Sequence, residues 1–497
     1  MALRVRTDQH TKRTAVIMGG GLAASLFIGR AIVFGQMEIA FLLVLGVIGI
    51  SILFDITLFG WCSLLLIASV AARGPVAILG LPQILNFLHY PIAIAFAVAA
   101  ATRPRVDPEG PRASPARWLL GLVFLVLLSM VANFSHPLRA AVFLLIVGEP
   151  LLVLWAVRRW GVDRVAERKV GLAVLALAAV QVPIGLYQGF TYGFSDPVQG
   201  TLYTHGAGHH VLGALFALCL FLAVAAMLAR KVPIMPGLAL ATGALGMMLA
   251  PQAMAVTVTA GAALVAMPLV ANPRAALGRR RASGARVIGG LLAAVVAVGA
   301  FFLAAELVPN IYERIAGLAK IDELPEVQIA SERATTSPSR LMFGSGPGTS
   351  ASRASILLAG GGEFEEGSPL GALNLPPTEL GVELRNRTRN VFGGSAEDFK
   401  SSTLAFLGDL GVVGFVALII FLVSLWKEIG RATGWLVFAA RTALLHVAMI
   451  MFIDNWFEYP EYAVPLALLV GFAISRPTAA DRVTQEDQVP VARLSEV

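Results

Sequence analysis

The feature that most constrains this fold is a repeated series of apolar segments, each close to the length of one membrane crossing. A helix rises about 1.5 Å per residue, so roughly 20 apolar residues cross a hydrocarbon core of about 30 Å. The segments are 14–34, 38–55, 57–73, 76–101, 117–134, 137–157, 169–189, 208–229, 232–249, 251–271, 286–307, 402–426, 433–453 and 461–475. A mean hydropathy of +0.77 and a charged fraction of 14% exclude an ordinary soluble domain. We predict an all-α polytopic integral membrane protein with about 14 spans, or about 12 if two early segments fuse or one re-enters.

The orientation follows from the Lys and Arg residues of the short loops, which are retained in the cytoplasm. The basic clusters are Arg4 to Arg13, Arg103 to Arg117, Arg158 to Lys169, Arg230 with Lys231, Arg274 to Arg281, and Lys427 with Arg431. With about 14 spans all of them fall on one side. We therefore predict a bacterial inner-membrane protein with cytoplasmic termini and periplasmic loops at 190–207 and 308–400. This topology accounts for the net charge of +7 without a nucleic-acid partner.

A long polar insertion divides the chain and places recognition or chemistry at the membrane surface. The predicted parts are an N-terminal helix bundle (1–307), a large periplasmic loop (308–400), C-terminal transmembrane helices (401–476) and a disordered cytoplasmic tail (477–497). Cys62 and Cys219 both lie inside apolar segments, so no external disulfide is expected to stabilise the loop.

Within the loop, three glycines lie in five residues, at Gly344, Gly346 and Gly348. Such a turn can point backbone N–H groups outward to bind phosphate oxygens, although an ordinary tight turn has the same composition. The Lys-Ser/Thr pair of a nucleotide-binding P-loop is missing. Arg340 directly precedes the turn and is our first candidate for an anion-binding side chain.

Two further segments complete the pattern. Phe399-Lys400-Ser401 precedes a helix that carries Gly411-Val-Val-Gly414, and Gly200-Thr-Leu-Tyr-Thr-His205 precedes the helix containing His209 and His210. The chain resembles the O-antigen ligase and O-antigen polymerase superfamily in the order of three motifs. These are a turn like the family's Gly-Thr-x-x-His, then the glycine turn, then a polar pair that precedes Gly-x-x-Gly. The resemblance covers about residues 180–430 and is one of layout.

The resemblance implies a glycosyltransferase C-like fold and an inverting transfer without metal or cofactor. The donor would be an undecaprenyl-diphosphate-linked glycan, and the acceptor a sugar hydroxyl of a glycan or of the lipid A core, within a membrane-lipid environment. The departing pyrophosphate must be neutralised, a task suited to Arg, which binds phosphate bidentately. The candidates are Arg340, Arg333 and Arg353, with Gly344, Gly346 and Gly348 supplying N–H groups.

The chain departs from the superfamily pattern at two places. Lys400 stands where ligases carry His, and a lysine of ordinary pKa, about 10, accepts no proton at neutral pH. Lys400 then either binds phosphate or is activated by its surroundings; Glu397, Asp398, His205, His209 and His210 are alternative proton acceptors. Gln252 and Thr257 stand where an arginine is common in the family. A polymerase-type or divergent member fits better than a typical ligase.

Other readings of the same residues stay open. A zinc site at His205 and His209 lacks a nearby carboxylate or Cys, and a purely structural role for the two histidines is the alternative. A lipid-linked oligosaccharide flippase or another transporter would also have many spans, but no internal repeat with broken helices is visible. A peptidoglycan polymerase would need a loop aspartate such as Asp398, and a structural membrane partner would need no chemistry.

Overall fold

The computed structural model describes residues 57–79, 81–103, 115–162, 164–194, 197–202, 208–251, 253–270, 332, 336–350, 352–358, 375, 378, 401–432, 434–452 and 456–475. Regular structure in these ranges is helical, without a strand. The α-helices are α1 (Leu58–Leu66), α2 (Arg73–Ile78), α3 (His89–Ala101), α4 (Pro115–Asn133), α5 (Pro137–Trp160), α6 (Arg164–Tyr192), α7 (Gly208–Leu228), α8 (Ile234–Leu249), α9 (Met254–Val270), α10 (Pro338–Phe343), α11 (Arg353–Leu358), α12 (Ser402–Arg431), α13 (Trp435–Ile450) and α14 (Pro460–Ile474). The predicted segments 14–34, 38–55 and 286–307 and the tail 477–497 lie outside the described residues.

Four helices in the described part of the chain are long and apolar enough to cross a membrane: Ala116–Asn133, Pro137–Trp160, Gly208–Leu228 and Ser402–Arg431. Shorter apolar helices accompany them, including Trp435–Ile450. The helix α7 is buried on nearly all sides, as expected for a helix with apolar residues around its whole circumference. These helices fit the expected helical membrane protein.

Most helices lie where the apolar segments place them, but the segment 76–101 is not one helix. It comprises α2, a 3-10 turn at Gln83–Phe87 and α3. Pro82 directly precedes the 3-10 turn, and a proline lacks the N–H that a continuous helix would need there. A π-helical turn at Ile67–Ala71 also interrupts the preceding segment. The first described part of the bundle is therefore built from short pieces.

The bundle has a basic end, defined by Arg103, Arg158 and Arg159. Arg158 forms an ion pair with Glu428 near the end of α12. Arg159 donates to the Arg103 carbonyl at 2.9 Å, and the Arg103 guanidinium lies 3.5 Å from the ring centroid of Trp160. Basic residues from the clusters near 103 and 158 thus meet at one end, and Arg158 also reaches Glu428, the sequence neighbour of Lys427.

The opposite end, which we call the turn end, holds the described part of the long polar insertion. Residues 338–358 do not stand apart from the helices. Ser350, Ser352, Ala354 and Leu357 have no exposed surface, and α11 packs against α5. The end of α13 also lies here, since the Thr403 N–H donates to the Met451 carbonyl at 3.1 Å. The insertion therefore contributes to the core between helix ends.

Candidate functional site

The glycine turn packs directly on a kink in α12. The Ser345 N–H donates to the Gly408 carbonyl at 2.7 Å, and the helix leaves α-geometry at Gly411, where φ is 66°. Gly344 likewise has a positive φ of 72°. A Cβ added at Gly411 would lie 2.5 Å from the Gly344 nitrogen. Both backbones approach so closely that only glycine fits at this crossing.

The carboxylate of Asp409 binds the far side of the turn. Its Oδ2 accepts the Gly348 N–H at 3.0 Å, and its Oδ1 accepts the Ser350 N–H at 2.8 Å. Asp409 is fully buried, so these donors take the place of water around the carboxylate. Two N–H groups of the turn thus donate hydrogen bonds to the Asp409 carboxylate and not to a bound ligand.

Arg139 holds the same turn from α5. Arg139 is 6% exposed, and its guanidinium donates to the Gly348 carbonyl at 3.1 Å. It also attracts Asp409 electrostatically. His136, whose Nδ1 accepts the Leu138 N–H at 3.2 Å, caps the first turn of α5 and so fixes the position of Arg139.

Ser129 joins α4 to this arrangement. Its hydroxyl lies 2.6 Å from the Phe343 carbonyl and 2.9 Å from the Asp409 carbonyl, both acceptors for its single proton. Asn133 donates to the Phe343 carbonyl from one helical turn later, at 3.5 Å. Groups from α4, α5 and α12 therefore fix the backbone of the turn.

A second buried polar group lies at the start of α14. The Arg353 N–H donates to Glu458 Oε2 at 2.8 Å, and the Arg353 guanidinium lies 4.7 Å from the ring centroid of Tyr459. Arg353 is 6% exposed, and Glu458 and Glu461 are almost completely buried. Ser402 accepts the Trp456 N–H at 2.9 Å and connects this group to the start of α12. Two arginines and three carboxylates are therefore buried at the turn end.

An apolar cleft extends through the bundle towards the turn end. It lies between α4, α5, α12, α13 and α14. Its wall follows α12 from Leu410 to Leu425, about 22 Å at the helical rise. At the turn end the wall includes Phe457, which directly precedes Glu458, while Leu410 directly follows Asp409. The cleft is thus apolar along its length and adjoins charged groups at one end.

The structure brings some of the predicted site residues together. Gly344, Gly346 and Gly348 form the turn against Gly411 and Asp409, and Arg353 lies buried beside Glu458. Arg340, in contrast, is exposed on α10, where its N–H is bound by Ser337 at 3.2 Å. A phosphate-binding role for these residues stays a prediction. Lys400, His205 and Arg333 lie outside the described residues.

His209 belongs to another polar region, at the start of α7. Its ring centroid is 3.9 Å from that of His210. The preceding turn is fixed by two glutamines of α6: Gln181 accepts the Thr201 N–H at 2.7 Å, and Gln188 accepts the Gly200 N–H at 2.7 Å. The Gly-Thr motif of the sequence thus has a structural role. Within the described ranges, no group of three or more His, Cys, Asp or Glu residues is placed to hold a metal ion.

Sequence reasoning missed Asp409, Arg139 and Glu458 as site residues. A signal was present for the first two, because each is a charged residue inside or at the edge of an apolar segment. Such residues are costly in a membrane and usually face the interior of a bundle. Their partners, the N–H groups and carbonyl of the turn, come from a distant part of the chain and leave no pattern in the sequence.

The comparisons with known proteins add no relative. A scan against protein-family models finds no matching family, and a search of curated proteins finds no match. The resemblance to the O-antigen ligase and polymerase superfamily therefore stays a prediction, based on the segments quoted above.

Proposed function

We propose that this chain transfers or polymerises a lipid-linked oligosaccharide in the biosynthesis of a surface polysaccharide. The observation that carries the proposal is the apolar cleft, which at the turn end reaches Leu410 and Phe457, the sequence neighbours of the buried carboxylates Asp409 and Glu458. An undecaprenyl diphosphate donor has the same division into a long apolar chain and an anionic head.

In this proposal the chain is a bacterial inner-membrane protein with about 12–14 spans and a glycosyltransferase C-like fold. The turn end faces the periplasm and the basic end faces the cytoplasm. The clustering of basic residues at the end opposite to the turn supports this orientation. The lipid chain enters the cleft from the side, between helices, and the acceptor glycan or lipid A core arrives from the periplasm.

The reaction needs anion stabilisation and one proton transfer. The acceptor oxygen bonds to the anomeric carbon of the donor, the bond from that carbon to the phosphate oxygen breaks, and its electron pair stays on the undecaprenyl diphosphate. Arg340 and Lys400 contact this pyrophosphate, and Arg333 or Arg353 assists. The acceptor proton goes to one of the candidates Glu397, Asp398, His205, His209 or His210, or to Lys400 if its surroundings activate it.

Asp409 and Arg139 have a different role in this account. Both are bound to Gly348, so we assign them to positioning the turn. The glycine turn lies between α10, which carries Arg340, and α11, which begins at Arg353, so the position of the turn fixes where both helices start and stop. Ser337 caps the N-terminus of α10.

A test of the cleft uses two substitutions on neighbouring residues of α12. Ala417 lines the cleft, whereas Val416 is 47% exposed and is absent from the lining. We expect Ala417→Phe to block the space for the lipid chain and to lower transfer in a reconstituted assay, with folding retained. Val416→Phe adds a comparable side chain outside the cleft and should keep wild-type transfer. Equal transfer by both variants would contradict a lipid chain in this cleft.

A further inference from the structure

A buried pair of titratable side chains lies away from the turn end. His89 Nδ1 and Glu149 Oε1 are 2.8 Å apart, and their side chains are 1% and 2% exposed. His89 begins α3, and Glu149 lies within α5. The two residues are 60 positions apart in the sequence, so the contact is made by the packing of the two helices.

The pair lies close to the middle of a candidate membrane span. Glu149 is ten residues from Arg139 and nine from Arg158, which places it about 15 Å and about 14 Å along α5 from the two ends of the bundle. An ionisable side chain at that depth is expensive unless it is paired, and such residues commonly mark paths for protons or ions. Glu149 is not among the residues that line the apolar cleft, so the lipid site does not account for it.

The second ring nitrogen of His89, Nε2, is buried and makes no hydrogen bond within the described part of the chain. In the tautomer in which Nδ1 donates to Glu149, this nitrogen presents a bare lone pair. A buried polar atom without a protein partner calls for an explanation, such as a bound water or a functional role.

We propose that His89 and Glu149 form a proton-binding site in the interior of the membrane. One proton from water adds to the Nε2 lone pair and converts the imidazole to an imidazolium, while the Nδ1 proton stays on its bond to Glu149. No other bond forms or breaks. The charge of the pair changes from negative to neutral, and a neutral pair is the cheaper state in a medium of low dielectric constant.

Other titratable groups lie on the helices that pack against α3 and α5. The Tyr90 ring is in contact with His89, at 4.0 Å between centroids. Cys62 lies on α1, Glu461 and Tyr462 begin α14, and Arg117 and Arg353 lie on α4 and α11. On α5 itself the charged neighbours are Arg139, Arg158 and Arg159. Among the described contacts, only Glu149 pairs its charge with His89.

The test is a pH titration of the full chain, labelled with ¹⁵N-histidine and reconstituted in nanodiscs. Wild type should gain one imidazolium signal that His89→Gln lacks and that Glu149→Gln shifts or removes. His136→Gln, which changes an exposed histidine, should keep that signal. If His89→Gln does not fold, the Glu149→Gln spectrum alone tests the proposal, because the imidazolium signal of His89 must change when its partner Glu149 loses its carboxylate. Identical spectra for wild type and both pair variants would overturn the proposal.

Discussion

Arg139 and Asp409 bind the two sides of one glycine. The Asp409 carboxylate accepts the Gly348 N–H at 3.0 Å, and the Arg139 guanidinium donates to the Gly348 carbonyl at 3.1 Å. Arg139 begins α5 and Asp409 precedes the kink of α12, so the turn connects two helices that are 270 residues apart in the chain. The position of the turn is therefore set by buried charges, and its glycines allow the close approach.

The first prediction concerns the hydrogen bonds of Asp409. In Asp409→Asn one carboxylate oxygen becomes an amide NH₂, which cannot accept the N–H of Gly348 or Ser350. Leaving one buried donor without a partner should cost about 1–3 kcal/mol of unfolding free energy. Thermal unfolding in detergent measures the change. Glu332→Gln removes an exposed carboxylate nearby in the insertion and should leave the midpoint in place. A midpoint equal to wild type for Asp409→Asn would refute this role.

The second prediction concerns the coupling between Arg139 and Asp409. Removing either charge leaves the other buried without its opposite, so the double variant should lose less than the sum of the single variants. A cycle of Arg139→Gln, Asp409→Asn and the combined variant should give a coupling free energy of about 0.5–3 kcal/mol. Strict additivity of the unfolding free energies would mean that the two residues act independently.

The third prediction concerns the kink of α12. In Gly411→Ala the Cβ meets the Gly344 backbone, and the φ of 66° with ψ of −166° lies in a region that essentially only glycine adopts, which adds a strain of about 1–3 kcal/mol. We expect a clear fall in the unfolding midpoint and faster proteolysis within residues 338–358. The matched change Gly243→Ala lies in α8, where no atom lies within 4 Å of the added Cβ. It should be neutral or stabilise by about 0.5–1 kcal/mol, because alanine favours a helix. Equal behaviour of the two variants would show that the crossing is not tight.

The fourth prediction concerns the pyrophosphate. Replacing Arg340 and Lys400 together by Ala should lower glycan transfer by about 100-fold or more, the loss typical of removing transition-state charge stabilisation. The control is Lys427→Ala with Arg431→Ala, which removes two cations from the basic end. Transfer in that control should stay near the wild-type value. Intact transfer in the Arg340 and Lys400 variant would rule out the proposed site.

Hydropathy was enough to place most of the described helices, because each apolar segment must bury its backbone in a helix. The segment 76–101 was predicted wrongly as one span, since hydropathy does not register the break at Pro82. The kink at Gly411 was not predicted either. From the sequence, Gly411 and Gly414 were both interpreted as small packing residues. The bend occurs at Gly411 because the backbone of Gly344 packs against it.

The site was predicted less completely than the helices. The glycine turn was recognised from its composition, but of the three glycines named as possible phosphate ligands, Gly348 donates its N–H to Asp409. Arg353 was chosen as a loop arginine and is instead buried beside Glu458. Contacts between residues 61 or 105 positions apart depend on how the helices pack, which the local pattern does not encode.

The most direct measurement of the central claim is mass spectrometry of undecaprenyl-linked glycans in a strain that lacks this gene, together with a gel of its surface polysaccharide. The account predicts a changed lipid-linked pool: single repeat units with loss of long chains for a polymerase, or full-length lipid-linked chains for a ligase. Complementation with wild type should restore both, and Ala417→Phe should not. An unchanged pool and an unchanged gel would contradict the glycan-transfer function.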